Sequence, residues 1–156
     1  MKKQYLLMLG LLLSIWANAQ TSTLDKEAIK KVVNTVFEGM RTSDSAMVKS
    51  VFAPNAVLQT IRPAKDGASA TVSGDRMEPW LKAIAQPKTA DQVWNEVMDF
   101  DQILIDGNLA QVWGKYKFNI GNKFSHCGTD NLTLVKYADG WKIVYLIDTS
   151  RTEGCQ

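Results

Sequence analysis

The residues best suited to chemistry lie close together near the C-terminus of this 156-residue chain. His126 is its only histidine, and it adjoins Cys127, one of two cysteines. Asp130 follows, and Arg151 lies shortly before the second cysteine, Cys155. Histidine can act as a general base near neutral pH because its unperturbed pKa is about 6.5. The cluster therefore combines groups for proton transfer, charge recognition and disulfide formation.

The pattern of residues predicts that a β-hairpin positions this cluster. Residues 124–137 and 141–149 alternate as strands, and a two-residue Asp139-Gly140 turn would pair Ala138 with Trp141. Opposed residues share a face of the sheet. The more apolar face, which we assign to the concave interior, then carries His126, Gly128, Asp130, Leu132, Leu134, Ile143, Tyr145, Ile147, Thr149 and Arg151. A shift of one residue in the turn would reverse these assignments.

This register predicts a site in which His126, Asp130 and Arg151 share one end of an apolar cavity. In a binding protein, His126 and Arg151 would orient a carboxylate or carbonyl of the ligand. In an enzyme, His126 would be the general base and Asp130 would fix its tautomer. The further ligand-binding candidates are Tyr116, Phe118, Tyr145 and Thr149. Structural interpretations stay open, since strand aromatics often form core and Asp130 with Arg151 could be a structural ion pair.

The elements that must hold this site begin with helices. Apolar residues recur at spacings of three and four along the first helix, at Ile29, Val32, Val33, Val36, Phe37 and Met40. A second short helix stops before Pro54, and a third has Pro79 in its first turn and ends before Pro87. A strand over residues 56–61 and a short one over 70–72 lie between the second and third helices.

The rest of the chain is predicted to be β. Residues 93–105 indicate one long, bent strand, and residues 109–120 alternate, with Tyr116 and Phe118 on one face and Trp113 on the other. Helices followed by long antiparallel strands are typical of an α+β fold. We expect a curved antiparallel sheet wrapped around about three N-terminal helices.

The N-terminus predicts export. A basic start precedes twelve apolar residues, 5–16, and Ala17-Asn18-Ala19 resembles a cleavage site. We therefore assign residues 1–19 to a signal peptide and residues 20–156 to a single domain that is periplasmic or secreted. Twelve apolar residues are too few to span a bilayer, which needs about 20, so the mature chain has no predicted membrane span. Two cysteines in an exported chain favour a Cys127–Cys155 disulfide.

Composition argues against several classes of partner. Cleavage would leave 137 residues, remove Lys2 and Lys3, and bring the formal net charge from +2 to zero. No basic stripe supports binding of nucleic acid. One histidine and two separated cysteines do not make a metal site. No glycine-rich phosphate loop or Gly-x-Ser-x-Gly nucleophile motif is present, so we predict neither a metal nor a cofactor.

Four segments resemble the nuclear transport factor 2-like superfamily over nearly all of the mature chain. They are Val36-Phe-Glu-Gly-Met40, residues 44–57 ending in Phe-Ala-Pro-Asn-Ala-Val57, Ala138-Asp-Gly-Trp-Lys-Ile143 and Ile147-Asp-Thr149. The resemblance implies a cystatin-like cone with a pocket at its wide end, and a homodimer formed by the outer face of the sheet.

The same resemblance leaves function open, because one fold hosts many functions. The aspartate base and tyrosine–acid pair of ketosteroid isomerases cannot be placed residue by residue on this chain, and the paired histidines of scytalone dehydratase are absent. Our leading hypothesis is an exported domain that binds a partly apolar, anionic small molecule. An isomerase, dehydratase or cyclase with His126 as base is the alternative. A protein-interaction module that uses the outer sheet around Trp113 is the third.

Overall fold

The structure is a computed structural model that describes residues 23–155. The predicted signal peptide lies outside these residues. The elements follow one another as α1 (residues 23–42), α2 (Ser45–Ser50), β1 (Phe52–Pro63), β2 (Ala70–Val72), α3 (Met77–Ile84), β3 (Trp94–Met98), β4 (Gln102–Asp106), β5 (Leu109–Ile120), β6 (Lys123–Tyr137) and β7 (Gly140–Thr149). Among the described helices, none has the length and apolar character needed to cross a membrane. The fold is α+β, as predicted.

The helices pack through the residues that the periodicity indicated. The α1 stripe buries Ile29, Val33, Val36 and Met40 against the sheet. Asp25, near the start of α1, accepts hydrogen bonds from Lys136 Nζ at 2.7 Å and Trp141 Nε1 at 3.1 Å. These bonds attach the first turn of α1 to the last hairpin. The α2 helix is capped by the Asp44 carboxylate, which accepts a bond from the Met47 amide at 2.8 Å.

The seven strands form one sheet in the order β2-β1-β7-β6-β5-β3, with β4 also paired to β5. The β1–β7 pair is parallel and the other pairs are antiparallel. The single strand predicted over residues 93–105 is in fact two, β3 and β4, which pair with opposite halves of β5. Gly114 permits the break, because a Cβ there would lie 2.0 Å from the Asp99 carbonyl oxygen.

The last hairpin differs in register from the prediction. Tyr137 pairs with Gly140, so the turn residues are Ala138 and Asp139. A β-bulge at Val144 follows, because Leu134 pairs with Ile143 whereas Thr133 pairs with Tyr145. A bulge inserts one residue and reverses the facing of the strand beyond it. Ile143 keeps its predicted inward position, but beyond the bulge the inward residues of β7 are Leu146 and Asp148.

Candidate ligand-binding cavity

A cavity of about 290 Å³ lies between α1, α3 and the concave face of the sheet. Its walls are mainly apolar and aromatic, comprising Val36, Phe37, Met40, Leu58, Trp80, Trp94, Tyr116, Phe118, Ile120 and Leu146. Its polar residues are Thr60, Arg62, Arg76, Glu96, Ser125, His126, Asp130, Asp148 and Ser150. An apolar cavity with a few convergent polar groups is the usual form of a small-molecule site.

Two carboxyl groups in this cavity are hydrogen-bonded to each other. Asp130 on β6 is only 4% exposed, and its partner is Glu96 on β3. Burial, followed by the charges of Asp130 and Asp148, raises the pKa of Glu96. Burial and the charge of Asp148 also raise the pKa of Asp130, against the opposing effect of its bond to Glu96. A bond between two carboxyl oxygens requires a proton, so the pair holds one at neutral pH.

Tyr116 is hydrogen-bonded to a third carboxyl group of the cavity, that of Asp148. Its hydroxyl donates to Asp148 Oδ2 at 2.9 Å and also lies 2.9 Å from the Thr149 carbonyl oxygen. Burial, then the charge of Asp148, raises the pKa of Tyr116, so the phenol stays protonated and acts as a donor. Gly128 makes room for the ring, because a Cβ at that position would lie 2.6 Å from Tyr116 Cε1.

His126 lies against the aromatic wall as a neutral ring. It stacks on Phe118 with a centroid distance of 4.7 Å, and its Nδ1 is 3.0 Å from the Ser125 hydroxyl. Burial lowers the pKa of His126, Asp148 opposes this effect, and Arg62 adds to it. His126 and Asp130 line the same cavity, but the hydrogen bonds found among residues 23–155 do not join them, and the carboxylate that raises the pKa of His126 is Asp148.

A second bulge explains why adjacent residues both line the cavity. Phe118 pairs with His126, but Asn119 pairs with Phe124, so Ser125 is the extra residue on β6. In an unbroken strand Ser125 would face away from His126, and the bulge allows both to line the cavity.

The structure brings together four of the predicted site residues, Tyr116, Phe118, His126 and Asp130. Three others do not line the cavity, because the Val144 bulge turns them to the opposite face. Tyr145 donates its hydroxyl to Gln59 Oε1 at 2.7 Å, and Thr149 Oγ1 accepts from the Thr129 amide at 3.0 Å. Arg151 is exposed, and its Nη1 lies 3.4 Å from Thr149 Oγ1.

The predicted disulfide between Cys127 and Cys155 is present.

The sequence reasoning missed Glu96, Asp148, Arg62 and Arg76. One signal for Glu96 was available: in a strand, Trp94, Glu96 and Met98 share a face, which places a lone carboxyl on an apolar surface. Asp148 was hidden by the bulge. The arginines come from distant segments with no local pattern.

The polar side chains of the cavity are hydrogen-bond donors and acceptors. Within residues 23–155, no group of three or more His, Cys, Asp or Glu side chains is arranged to hold a metal ion. The carboxyl pair, whose proton lies in its internal hydrogen bond, supplies acceptor oxygens. A ligand there would meet aromatic surfaces on its faces and the carboxyl pair at one edge.

A family model described as "Putative lumazine-binding" matches residues 24–146. The chain belongs to this family. The match spans α1 to most of β7, and therefore includes every element that lines the cavity. No curated protein matches the chain.

Solved structures similar to this family member share its fold. An NTF2-like protein of unknown function from Shewanella baltica is 18% identical, with a TM-score of 0.60 over 84% of this chain and 97% of that chain. An NTF2-like protein with a cystatin-like fold from Novosphingobium aromaticivorans is 12% identical, with a TM-score of 0.66 over 89% of each chain. A "putative dehydratase" of the NTF2-like family from Streptomyces avermitilis is 14% identical, with a TM-score of 0.62 over 83% of this chain and 98% of that chain. The resemblance to the nuclear transport factor 2-like superfamily is thereby confirmed at the level of fold.

Proposed function

We propose that this protein binds a small planar heterocycle of the pteridine type, whose edge carries a ring N–H beside a carbonyl group. The observation that carries the proposal is the hydrogen-bonded Glu96–Asp130 pair inside an aromatic cavity. The family's description, which names lumazine, points to the same class of ligand.

The carboxyl pair is complementary to such an edge. Lumazine is a bicyclic pteridine that presents carbonyl acceptors next to ring N–H donors. Because the proton of the pair lies in its own hydrogen bond, the remaining carboxyl oxygens present acceptors that match the ring N–H donors. A buried acceptor without a partner would be costly, so a ring N–H that reaches these oxygens supplies the partner they need.

The cavity walls fit a flat ring. Trp94 and Phe118 meet edge to face with ring centroids 5.9 Å apart, and the His126 ring stacks on Phe118. Aromatic surfaces bind planar ligands through stacking and burial of apolar area. Lys88 keeps Trp94 in place, because its ammonium lies 4.7 Å from the indole centroid and donates to the Ile84 carbonyl at 2.7 Å.

We further infer that the protein works outside the cytoplasm. The support is the signal-like pattern of residues 1–19 together with the Cys127–Cys155 disulfide, since disulfides persist in oxidising compartments. A ligand-binding protein of this kind would meet pteridines in the periplasm or outside the cell. Mass analysis of the N-terminus of the protein recovered from that compartment tests the cleavage after Ala19.

The binding proposal is tested by titrating purified residues 20–156 with lumazine and with 3-methyllumazine, which lacks one ring N–H. Replacing the acid pair by apolar residues of similar size, in Glu96→Met with Asp130→Leu, should leave the fold intact, because the exchange removes the cost of burying two polar groups.

We expect lumazine to bind the wild type and to lose on the order of 10²-fold in affinity in the double variant, from two lost hydrogen bonds. The methylated ligand should bind the wild type about tenfold more weakly than lumazine. Glu78→Met, at an exposed position on α3 outside the cavity, is the matched control. Equal affinity of the wild type and the double variant for lumazine would refute the proposal.

A proton-transfer enzyme is the second candidate, and the neutral His126 ring in the same cavity as the carboxyl pair favours it. His126→Ala separates the two functions. A binding protein should lose about tenfold in affinity, on the order of one hydrogen bond. An enzyme should lose 10²–10⁴ in turnover with little change in affinity.

A further inference from the structure

We propose that Arg62 and Arg76 form an anion subsite at the mouth of the cavity, which selects heterocycles bearing a carboxylate or phosphate substituent. The inference deepens the proposed function and rests on it. It gives these two arginines the role that the sequence had suggested for Arg151.

The exposure of the inward residues of β1 shows which end of the cavity is its mouth. Leu58 and Thr60 are buried, at 7% and 9% exposure, and the next inward residue, Arg62, is exposed. The neighbouring strand β7 follows the same order, from buried Leu146 through Asp148 to Ser150. Along β1, the inward side chains therefore change from apolar, through polar, to cationic.

Arg62, Arg76, Ser125 and Ser150 come from separate segments and line the same cavity. The Ser150 amide donates to the Ile61 carbonyl at 2.9 Å, which places Ser150 beside Arg62. The Arg76 amide donates to the Leu58 carbonyl at 2.8 Å, which holds the start of α3 against β1. Ser125 reaches the same cavity through the β6 bulge. An anion at the mouth could therefore meet guanidinium and hydroxyl donors.

Neither guanidinium is committed to a protein partner. Across residues 23–155, the four ion pairs involve other cations, and no hydrogen bond of the Arg62 or Arg76 side chain is found. The nearby Asp75 carboxylate accepts bonds from the Leu58 and Met77 amides instead. Arg62 lines the same cavity as His126, and its charge lowers the pKa of that ring. Arginine binds carboxylate and phosphate through a fork of N–H donors.

The ligand implied by this arrangement has two parts. Its ring would sit among the aromatic walls with its N–H and carbonyl edge on Glu96 and Asp130. Its anionic substituent would extend past His126 to the arginines. Three carboxyl groups inside the cavity would repel an anion there, so the substituent must point outward.

The test compares lumazine with lumazine-6-carboxylate, and 6-hydroxymethylpterin with its phosphate ester, by equilibrium titration at neutral pH. The wild type should bind each anionic member at least about tenfold more tightly than its uncharged partner, and added salt should reduce this preference. Arg62→Gln and Arg76→Gln should each remove most of the preference and of its dependence on salt. Lys65→Gln, an exposed cation outside the cavity, should change neither.

Each outcome decides one question. A preference for only one of the two anions identifies the substituent and supports the subsite. Equal binding of charged and uncharged ligands by the wild type overturns the subsite and leaves the proposed function standing. Unchanged preference in both arginine variants also overturns it. If none of the four ligands binds, the proposed function fails and the subsite fails with it.

Discussion

At the scale of residues, the buried acid pair is the costliest feature of the cavity. Burial makes ionisation of Glu96 and Asp130 unfavourable, and the shared proton removes part of that cost. Such an arrangement contributes little to stability by itself. A binding role for the pair accounts for its presence on a surface that is otherwise suited to apolar packing.

The acid pair makes stability depend on pH. Because the folded pKa values are raised, the folded state holds a proton that the unfolded chain releases, and stability is lost as pH rises from about 4 through the raised values. We expect the free energy of unfolding of the wild type to fall by up to about 1.4 kcal/mol per pH unit in this window. In Glu96→Gln the free energy of unfolding should depend less on pH. The variant should therefore gain stability relative to the wild type as pH increases.

Urea unfolding between about pH 5 and 9 measures this effect. Glu153→Gln, in an exposed segment, controls for the general effect of removing a carboxylate. Parallel curves for the wild type and Glu96→Gln would show that the pair does not titrate as described.

The pKa of His126 depends on the charges near it, and it can be measured directly because this is the only histidine of the chain. Asp148→Asn should lower the pKa of His126, because the lost carboxylate had favoured the charged ring. Arg62→Gln should raise the pKa of His126, because a repelling cation is removed. NMR titration of the ring gives both values. An unchanged midpoint in both variants would contradict the described surroundings of His126.

Residue types alone predicted part of this site. Tyr116 and Phe118 were predicted correctly because, in a strand without bulges, the alternation of residues shows which side chains point inward. His126 and Asp130 were found as rare polar groups beside an apolar strand face. Arg151 was placed wrongly, because its facing depended on counting residues through a turn and across a bulge.

At the scale of elements, the order of helices and strands was predicted because it depends on local signals. The α1 stripe, the prolines around α3 and the alternation of β5 each act within a few residues. Register depends on pairing between distant segments. A single extra residue such as Val144 or Ser125 changes the register, and the neighbouring sequence carries no signal of that change.

The Cys127–Cys155 disulfide fastens the C-terminal segment to β6 beside the cavity strands. Its cysteines are 28 residues apart, and closing such a loop should stabilise the fold by about 3–4 kcal/mol in the chain-entropy model. The Cys127→Ala, Cys155→Ala double variant should therefore show a lower urea midpoint, and reduced wild-type protein should show a similar one. Two alkylatable thiols in protein recovered from the periplasm would contradict the bond.

At the scale of the whole molecule, the outer face of the sheet carries an apolar patch that the cavity does not explain. The outer apolar patch consists of Val97, Leu104, Leu109 and Trp113, which are 59%, 59%, 50% and 46% exposed. These residues lie on β3, β4 and β5. We propose that the protein forms a homodimer through this face, as the superfamily resemblance implied.

Light scattering after size exclusion tests the dimer. The wild type should elute as a dimer, and Trp113→Glu should shift it toward monomer by placing a charge in a buried interface. Tyr137→Glu, at an exposed aromatic on the end of β6, should have no effect. A monomeric wild type at high concentration would refute the dimer. Persistent association with other proteins that Trp113→Glu abolishes would instead favour an interaction module.

The central claim is that a pteridine ring occupies the cavity above the acid pair, and an NMR titration of His126 with lumazine tests it most directly. His126 lines the cavity and stacks on Phe118, so a ring bound there must change its surroundings. We predict that the single histidine signal shifts and saturates at equimolar lumazine, and that it stays still in the Glu96→Met, Asp130→Leu variant at the same concentrations. A histidine signal that does not move while lumazine binds the wild type would place the ligand elsewhere and contradict the account.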